Sequence, residues 1–132
     1  MVVNEKLSKE DGAELLDVSI YKSLVDSLIY LTNTRPDIVL AVSIVSRYMN
    51  KPSKVHFGVA KRILRYVKGT KNFGLKYESE NDCKLVGFSK SDWASSIDDR
   101  KSTIGYIFSL GSKVISWSSK KQNIVALSSA EV

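Results

Sequence analysis

The chain is poor in several residue types that would carry specific chemistry. It has one cysteine (Cys83), one histidine (His56) and two prolines among 132 residues. A single thiol excludes an intramolecular disulfide. One Cys and one His cannot make the usual zinc ligand sets either. The longest apolar segments lie around 38–45 and 104–110, broken by Ser, Ala or Gly and far short of the roughly 18–20 residues that span a bilayer. The first residues, Met1-Val2-Val3-Asn4-Glu5-Lys6, do not follow the basic-then-apolar order of a secretory leader. These absences lead to the expectation of a reducing compartment, cytoplasm or nucleus, with neither a membrane nor a small-molecule substrate as partner.

Acidic residues are absent from one long stretch. Residues 38–77 contain no Asp or Glu but nine basic side chains: Arg47, Lys51, Lys54, Lys61, Arg62, Arg65, Lys68, Lys71 and Lys76. The first 17 residues are the reverse, with Glu5, Glu10, Asp11, Glu14 and Asp17 against Lys6 and Lys9. The overall charge of +6 is therefore concentrated in the middle of the chain. Such a block suits the phosphate backbone of a nucleic acid; the alternative is a solvated helix face.

Residues 1–18 read as a mobile acidic lead-in. From Ser19 the apolar spacing turns helical, with Ile20, Leu24, Leu28 and Leu31 on one stripe and Tyr21, Val25 and Ile29 beside it. Thr34-Arg35-Pro36-Asp37 predicts a second helix start, with Thr34 as cap and Asp37 at the positive end of the dipole. Ile38, Val42, Val45 and Met49 line that helix. A third helix is expected from Ser53 to Gly69, its apolar side formed by Val55, Val59, Ile63, Tyr66 and Val67. Lys54, Lys61, Arg65 and Lys68 recur on its other side. His56 is read as a surface residue at the helix start, with no Ser, Cys or Asp partner at a triad-like spacing.

Strand-like texture follows. Residues 74–77 and 85–88 are short candidates, and 103–110 and 113–117 flank Gly111-Ser112, a tight-hairpin signal. Trp93, Trp117, Tyr106 and Phe108 are expected as sheet-face core. Ser128-Ser129-Ala130-Glu131 has the spacing of a capping box at a further helix start. Because the sequence stops one residue later, it reads as cut short. The expected class is α+β: a helical region over 19–72, then an incomplete antiparallel sheet over 73–132.

Ordered blocks along the chain resemble the C-terminal part of copia-type retrotransposon Pol polyproteins. They include Leu28-Ile29-Tyr30-Leu31, Thr34-Arg35-Pro36-Asp37-Ile38, Ala60-Lys61-Arg62-Ile63-Leu64-Arg65-Tyr66, Ser91-Asp92-Trp93-Ala94, Ile115-Ser116-Trp117-Ser118-Ser119-Lys120-Lys121-Gln122 and Ala126-Leu127-Ser128-Ser129-Ala130-Glu131. The resemblance implies a thumb or connection region of a reverse transcriptase followed by the opening strands of a ribonuclease H domain. Such a nuclease holds two Mg²⁺ ions on clustered carboxylates. In relatives the first of these aligns with Lys90, and Glu131 matches the second. With an ammonium at the first position, Asp92 and Glu131 are vestigial candidates, and neither an active metal site nor a cofactor is expected. A second departure is Asp26, where the family pattern has Gly.

The expected function is a non-enzymatic Pol fragment retaining affinity for a duplex or RNA–DNA hybrid backbone through Lys54, Lys61, Arg62, Arg65 and Lys68. The rivals are a nuclease completed by missing segments and a domesticated interaction or effector protein. Arg62-Ile63-Leu64-Arg65 spells the Arg-x-Leu-Arg element of secreted oomycete effectors. Its mid-helix place, with Ile63 on the apolar side, favours the helical reading.

Overall fold

The helical unit is built on three apolar stripes that face one another. In a computed structural model describing residues 6–79 and 83–128, the chain divides into two units, 1–73 and 74–132. Helix α1 spans Val18–Leu31 and starts on Asp17, whose carboxylate accepts from the Ser19 N–H at 2.7 Å. Its buried line is Tyr21, Val25 and Leu28. The expected stripe is thus rotated by about one residue, and Ile20 lies outward at 55% exposure. Asp26 is exposed, so the carboxylate in place of Gly meets solvent.

The second helix is segmented. A 3₁₀ turn, Pro36–Ile38, leads into α2, Val39–Val45, and a further 3₁₀ turn, Ser46–Tyr48, follows. Ile38, Val42, Val45 and Tyr48 point inward. Thr34 does not cap it; its hydroxyl donates back to the Leu31 carbonyl. Arg35 occupies the cap position instead, and Asp37 serves as its ion-pair partner.

Helix α3 spans Lys54–Gly69 and opens on Ser53, whose hydroxyl accepts from the His56 N–H. It buries His56, Val59, Ala60 and Ile63, whereas Val55 and Tyr66 are exposed. The inward face is therefore centred closer to His56 and Ala60 than the hydrophobic pattern implied. The three helices meet in one apolar cluster that also includes Leu7.

The sheet unit contains β1 (Leu85–Asp92), β2 (Thr103–Leu110) and β3 (Lys113–Lys121), antiparallel in that order. β2 and β3 form the expected hairpin. Gly111 supplies φ 61°, the left-handed backbone that a two-residue turn needs at its first position. β1 and β3 both run further than their apolar cores suggested. Residues 74–77 form no strand, although the Tyr77 hydroxyl donates to the Val114 carbonyl at 2.8 Å. At Gly87 a Cβ would come within 2.6 Å of the Phe108 ring, so this close approach requires glycine.

The aromatics expected as sheet core are not enclosed. Tyr106 and Phe108 share one face, with ring centres 5.5 Å apart, and each stays about two-fifths exposed. Trp117 belongs to the opposite face, in register with Ile107. Trp93 follows β1 in a turn, where its indole N–H donates to the Ala126 carbonyl at 3.1 Å.

Candidate nucleic-acid interface

The cations singled out in the sequence fall on a single helix and face outward together. Lys54, Lys61, Arg62, Arg65 and Lys68 are all exposed on α3. At 3.6 residues per turn, Lys54, Lys61, Arg65 and Lys68 lie within about 60° of one another, opposite the buried face, along about 21 Å of axis. Arg62 stands about 60° round from Arg65 by the same geometry. The Lys61 ammonium sits 4.4 Å from the centre of the Phe57 ring, a cation–π contact that orients it. Lys54 at the other end forms an ion pair with Glu14 at 2.5 Å.

The helix is anchored at both ends by polar clusters that periodicity alone does not reveal. At its C-terminus, buried Arg35 donates to the Thr70 carbonyl (3.1 Å) and hydroxyl (2.7 Å). The same guanidinium grips Asp37 through two bonds of 2.9 and 2.7 Å, and the Tyr66 hydroxyl donates to Asp37 at 2.9 Å. Arg35, then Tyr66, hold the Asp37 carboxyl below the usual carboxylate range against the opposing effect of burial. The TRPD motif thus acts structurally: it ties the α1–α2 turn to the end of α3.

At the N-terminus, His56 is fully buried, correcting the expectation of a surface residue. Its Nδ1 accepts from the Ser53 N–H (3.0 Å), its Nε2 contacts the Ser8 carbonyl (2.9 Å), and its ring stacks on Tyr48 with centres 4.0 Å apart. Asp11 also approaches, accepting from the Ser53 hydroxyl at 2.5 Å and lying 3.7 Å from His56 Nε2. Ser, His and Asp therefore do meet, contrary to the sequence-based reading. The arrangement is nevertheless a lock and not a nucleophilic triad. The Ser53 hydroxyl donates to Asp11, the histidine is committed to backbone groups, and Ser53 is itself buried.

The same contacts hold residues 7–16, part of the lead-in that was expected to be mobile. The Tyr48 hydroxyl donates to the Leu7 carbonyl, Leu16 N–H to Pro52, and Lys54 N–H to Glu14. Leu7 enters the core, and a bridge joins Leu15 to Ser53.

In the sheet unit, Lys90 and Asp92 alternate along one face of β1, opposite Gly105 and Thr103, and both are exposed. Glu131 lies outside the described residues. Among the described residues no three His, Cys, Asp or Glu side chains gather as a metal would require. An ammonium beside one carboxylate does not suit Mg²⁺, so no metal-dependent step is derived. The acid that the sequence did not single out is Asp99. Burial disfavours its charge, but Lys121 at 2.7 Å, Ser96 and the Lys101 N–H outweigh this and hold its carboxyl well below the usual range. Nearby Ser102, fully buried, accepts the Ala94 N–H on its hydroxyl and the Gln122 N–H on its carbonyl. No helix among the described residues is long and apolar enough to cross a membrane.

Comparison with known proteins places these features in a family. The chain is 47% identical over 131 residues to the Pol polyprotein of transposon RE1 from Arabidopsis thaliana, covering 99% of this chain. It is 46% identical over 112 residues to that of transposon TNT 1-94 from Nicotiana tabacum. The chain belongs to the copia-type retrotransposon Pol polyproteins. It spans 9% and 8% of the length of those two Pol polyproteins. A secreted RxLR effector protein of Plasmopara viticola is 44% identical over 112 residues, 84% of this chain and 79% of that protein. In this copia-type Pol segment, the Arg62-Ile63-Leu64-Arg65 string lies inside α3, with Ile63 only 5% exposed. No family model and no solved structure matches the chain.

Proposed function

We propose that this chain is the stretch of a copia-type Pol polyprotein where the helical region behind a reverse transcriptase palm passes into the first strands of a ribonuclease H-like sheet. Its activity is binding and not hydrolysis. It holds the backbone of a duplex or RNA–DNA hybrid, without regard to sequence, through the exposed cations of α3. The observation that carries this reading is the alignment of Lys54, Lys61, Arg65 and Lys68 along one outward face of a helix whose opposite face is core. Charges so arranged release condensed counterions when a backbone lies along them, and this release supplies affinity. The non-enzymatic half rests on Lys90, an ammonium in β1 at the position that the family resemblance gives to the first metal-binding carboxylate.

A labelled duplex in fluorescence anisotropy tests the proposal. Replacing Lys61, Arg65 and Lys68 together by Ala weakens binding at low salt by about tenfold or more. These side chains are exposed, so the helical circular dichroism is unchanged. Equal affinity of the triple variant removes α3 as the interface. In parallel, the chain and its Lys90→Asp variant both leave an RNA–DNA hybrid intact in Mg²⁺; cleavage by either one contradicts the non-enzymatic reading.

A further inference from the structure

The acidic lead-in lies against the basic end of α3, and its position is fixed by backbone. The Lys54 N–H donates to the Glu14 carbonyl at 2.9 Å, and the Leu16 N–H donates to the Pro52 carbonyl at 2.9 Å. Leu7 is anchored in the core and Ser8 on His56. These anchors leave the Glu14 side chain beside Lys54, where the two form an exposed ion pair. Asp11 sits three residues earlier in the chain, bonded to Ser53 at the helix cap. The first turn of α3 has no acid of its own, so the positive end of its dipole is met by carboxylates from the lead-in.

We propose that the lead-in is a built-in competitor for the anion-binding face of α3: Glu14 occupies Lys54, and a nucleic-acid backbone reaches that lysine only by displacing it. The resting interface is then centred on Lys61, Arg65 and Lys68, with Lys54 held in reserve. The competing carboxylate is tethered, so it is present at high effective concentration whatever the solution contains. It is also exposed, so the pair is weak enough for a polyanion to displace. Its effect is a threshold: the backbone gains Lys54 only when enough contacts along α3 are already made.

The inference rests on backbone binding by α3, and its test separates the two. Affinity for a labelled duplex of about 20 base pairs, long enough to cover the stripe at about 3.4 Å per pair, is measured against salt for the whole chain and its variants. Glu14→Gln keeps the backbone anchors and removes the charge. It tightens binding about two- to fivefold at low salt, the range expected for releasing one exposed pair. It also steepens the logarithmic salt slope by about 0.9, as one added phosphate contact requires. Lys54→Ala alone changes affinity less than about twofold, but in the Glu14→Gln background it abolishes the gain, the signature of a coupled pair. Glu10→Gln, with the same change in net charge, gives a smaller gain than Glu14→Gln. An unchanged affinity in Glu14→Gln, or a gain that survives Lys54→Ala, overturns the competitor. Absence of binding by the unaltered chain at the lowest salt overturns the α3 interface itself, and the competitor with it.

Discussion

The two units of this chain solve the problem of holding a backbone in place by different means. The helical unit encloses large side chains: Tyr21, Val25, Leu28, Ile38, Val42, Val45, Val59 and Ile63 are all buried. In the sheet unit the buried side chains are small or polar, namely Ala94, Ser96, Ser102, Thr103 and Ala126. Its large apolar groups stay open, with Phe88 at 65% and Leu85 at 60% exposure. Packing therefore holds the first unit. The second is held by its hydrogen-bond ladders together with Ser102, Trp93 and the Asp99–Lys121 pair. A sheet face of exposed apolar residues is also the kind of surface that associates with others.

The largest expected effect separates the units by substitution. Leu28→Ala costs about 2–5 kcal/mol, because it removes a fully enclosed side chain and leaves a cavity. Phe88→Ala costs about 1 kcal/mol or less, because most of the ring is already in water. Urea unfolding followed by helical circular dichroism reads the first unit. Tryptophan fluorescence reads the second, since Trp93 and Trp117 both lie there. If Phe88→Ala is as costly as Leu28→Ala, the sheet has a packed core that this account denies.

A smaller effect comes from acid. Asp37 in the helical unit and Asp99 in the sheet unit both have lowered carboxyl values, Asp37 chiefly through its bonds to Arg35, and Asp99 through Lys121 and Ser96 despite burial. A folded value below the unfolded one means the charged form favours folding. The contribution is whole above the ordinary value of 3.8 and is lost as pH falls through the folded value. Asp37→Asn is therefore expected to flatten the acid limb of the helical signal, and Asp99→Asn that of the tryptophan signal. Each unit losing its acid sensitivity to the other unit's substitution contradicts this assignment. Both carboxylates are partly solvated, so the effects are modest.

The comparison also shows what could be read from sequence. The helices were legible because Val25, Leu28, Val42, Val45, Val59 and Ile63 recur at helical spacing. The hairpin was legible from Gly111, and the basic face of α3 from the spacing of Lys54, Lys61, Arg65 and Lys68. What escaped depends on residues far apart in the chain. His56 finds Ser8 across 48 positions, and Arg35 finds Thr70 across 35. No local pattern announces either contact. One signal was present: Ser53-x-x-His56 has capping-box spacing, and that is how the histidine is held. The lead-in looked detachable because its acids outnumber Leu7 and Leu16, the two leucines that pack on the helical unit. The short apolar pattern at 74–77 predicted a strand, but among the described residues pairing in this sheet is confined to β1, β2 and β3.

The most direct test of the central claim is the salt dependence of duplex binding by the unaltered chain. Three to five phosphate contacts along α3 predict a logarithmic slope between about −2.7 and −4.5, so affinity falls by about 40- to 500-fold from about 50 to about 200 mM salt. The Lys61, Arg65 and Lys68 triple variant should lose most of that slope. An affinity that does not change over this range, or a slope the triple variant shares, contradicts backbone binding by α3.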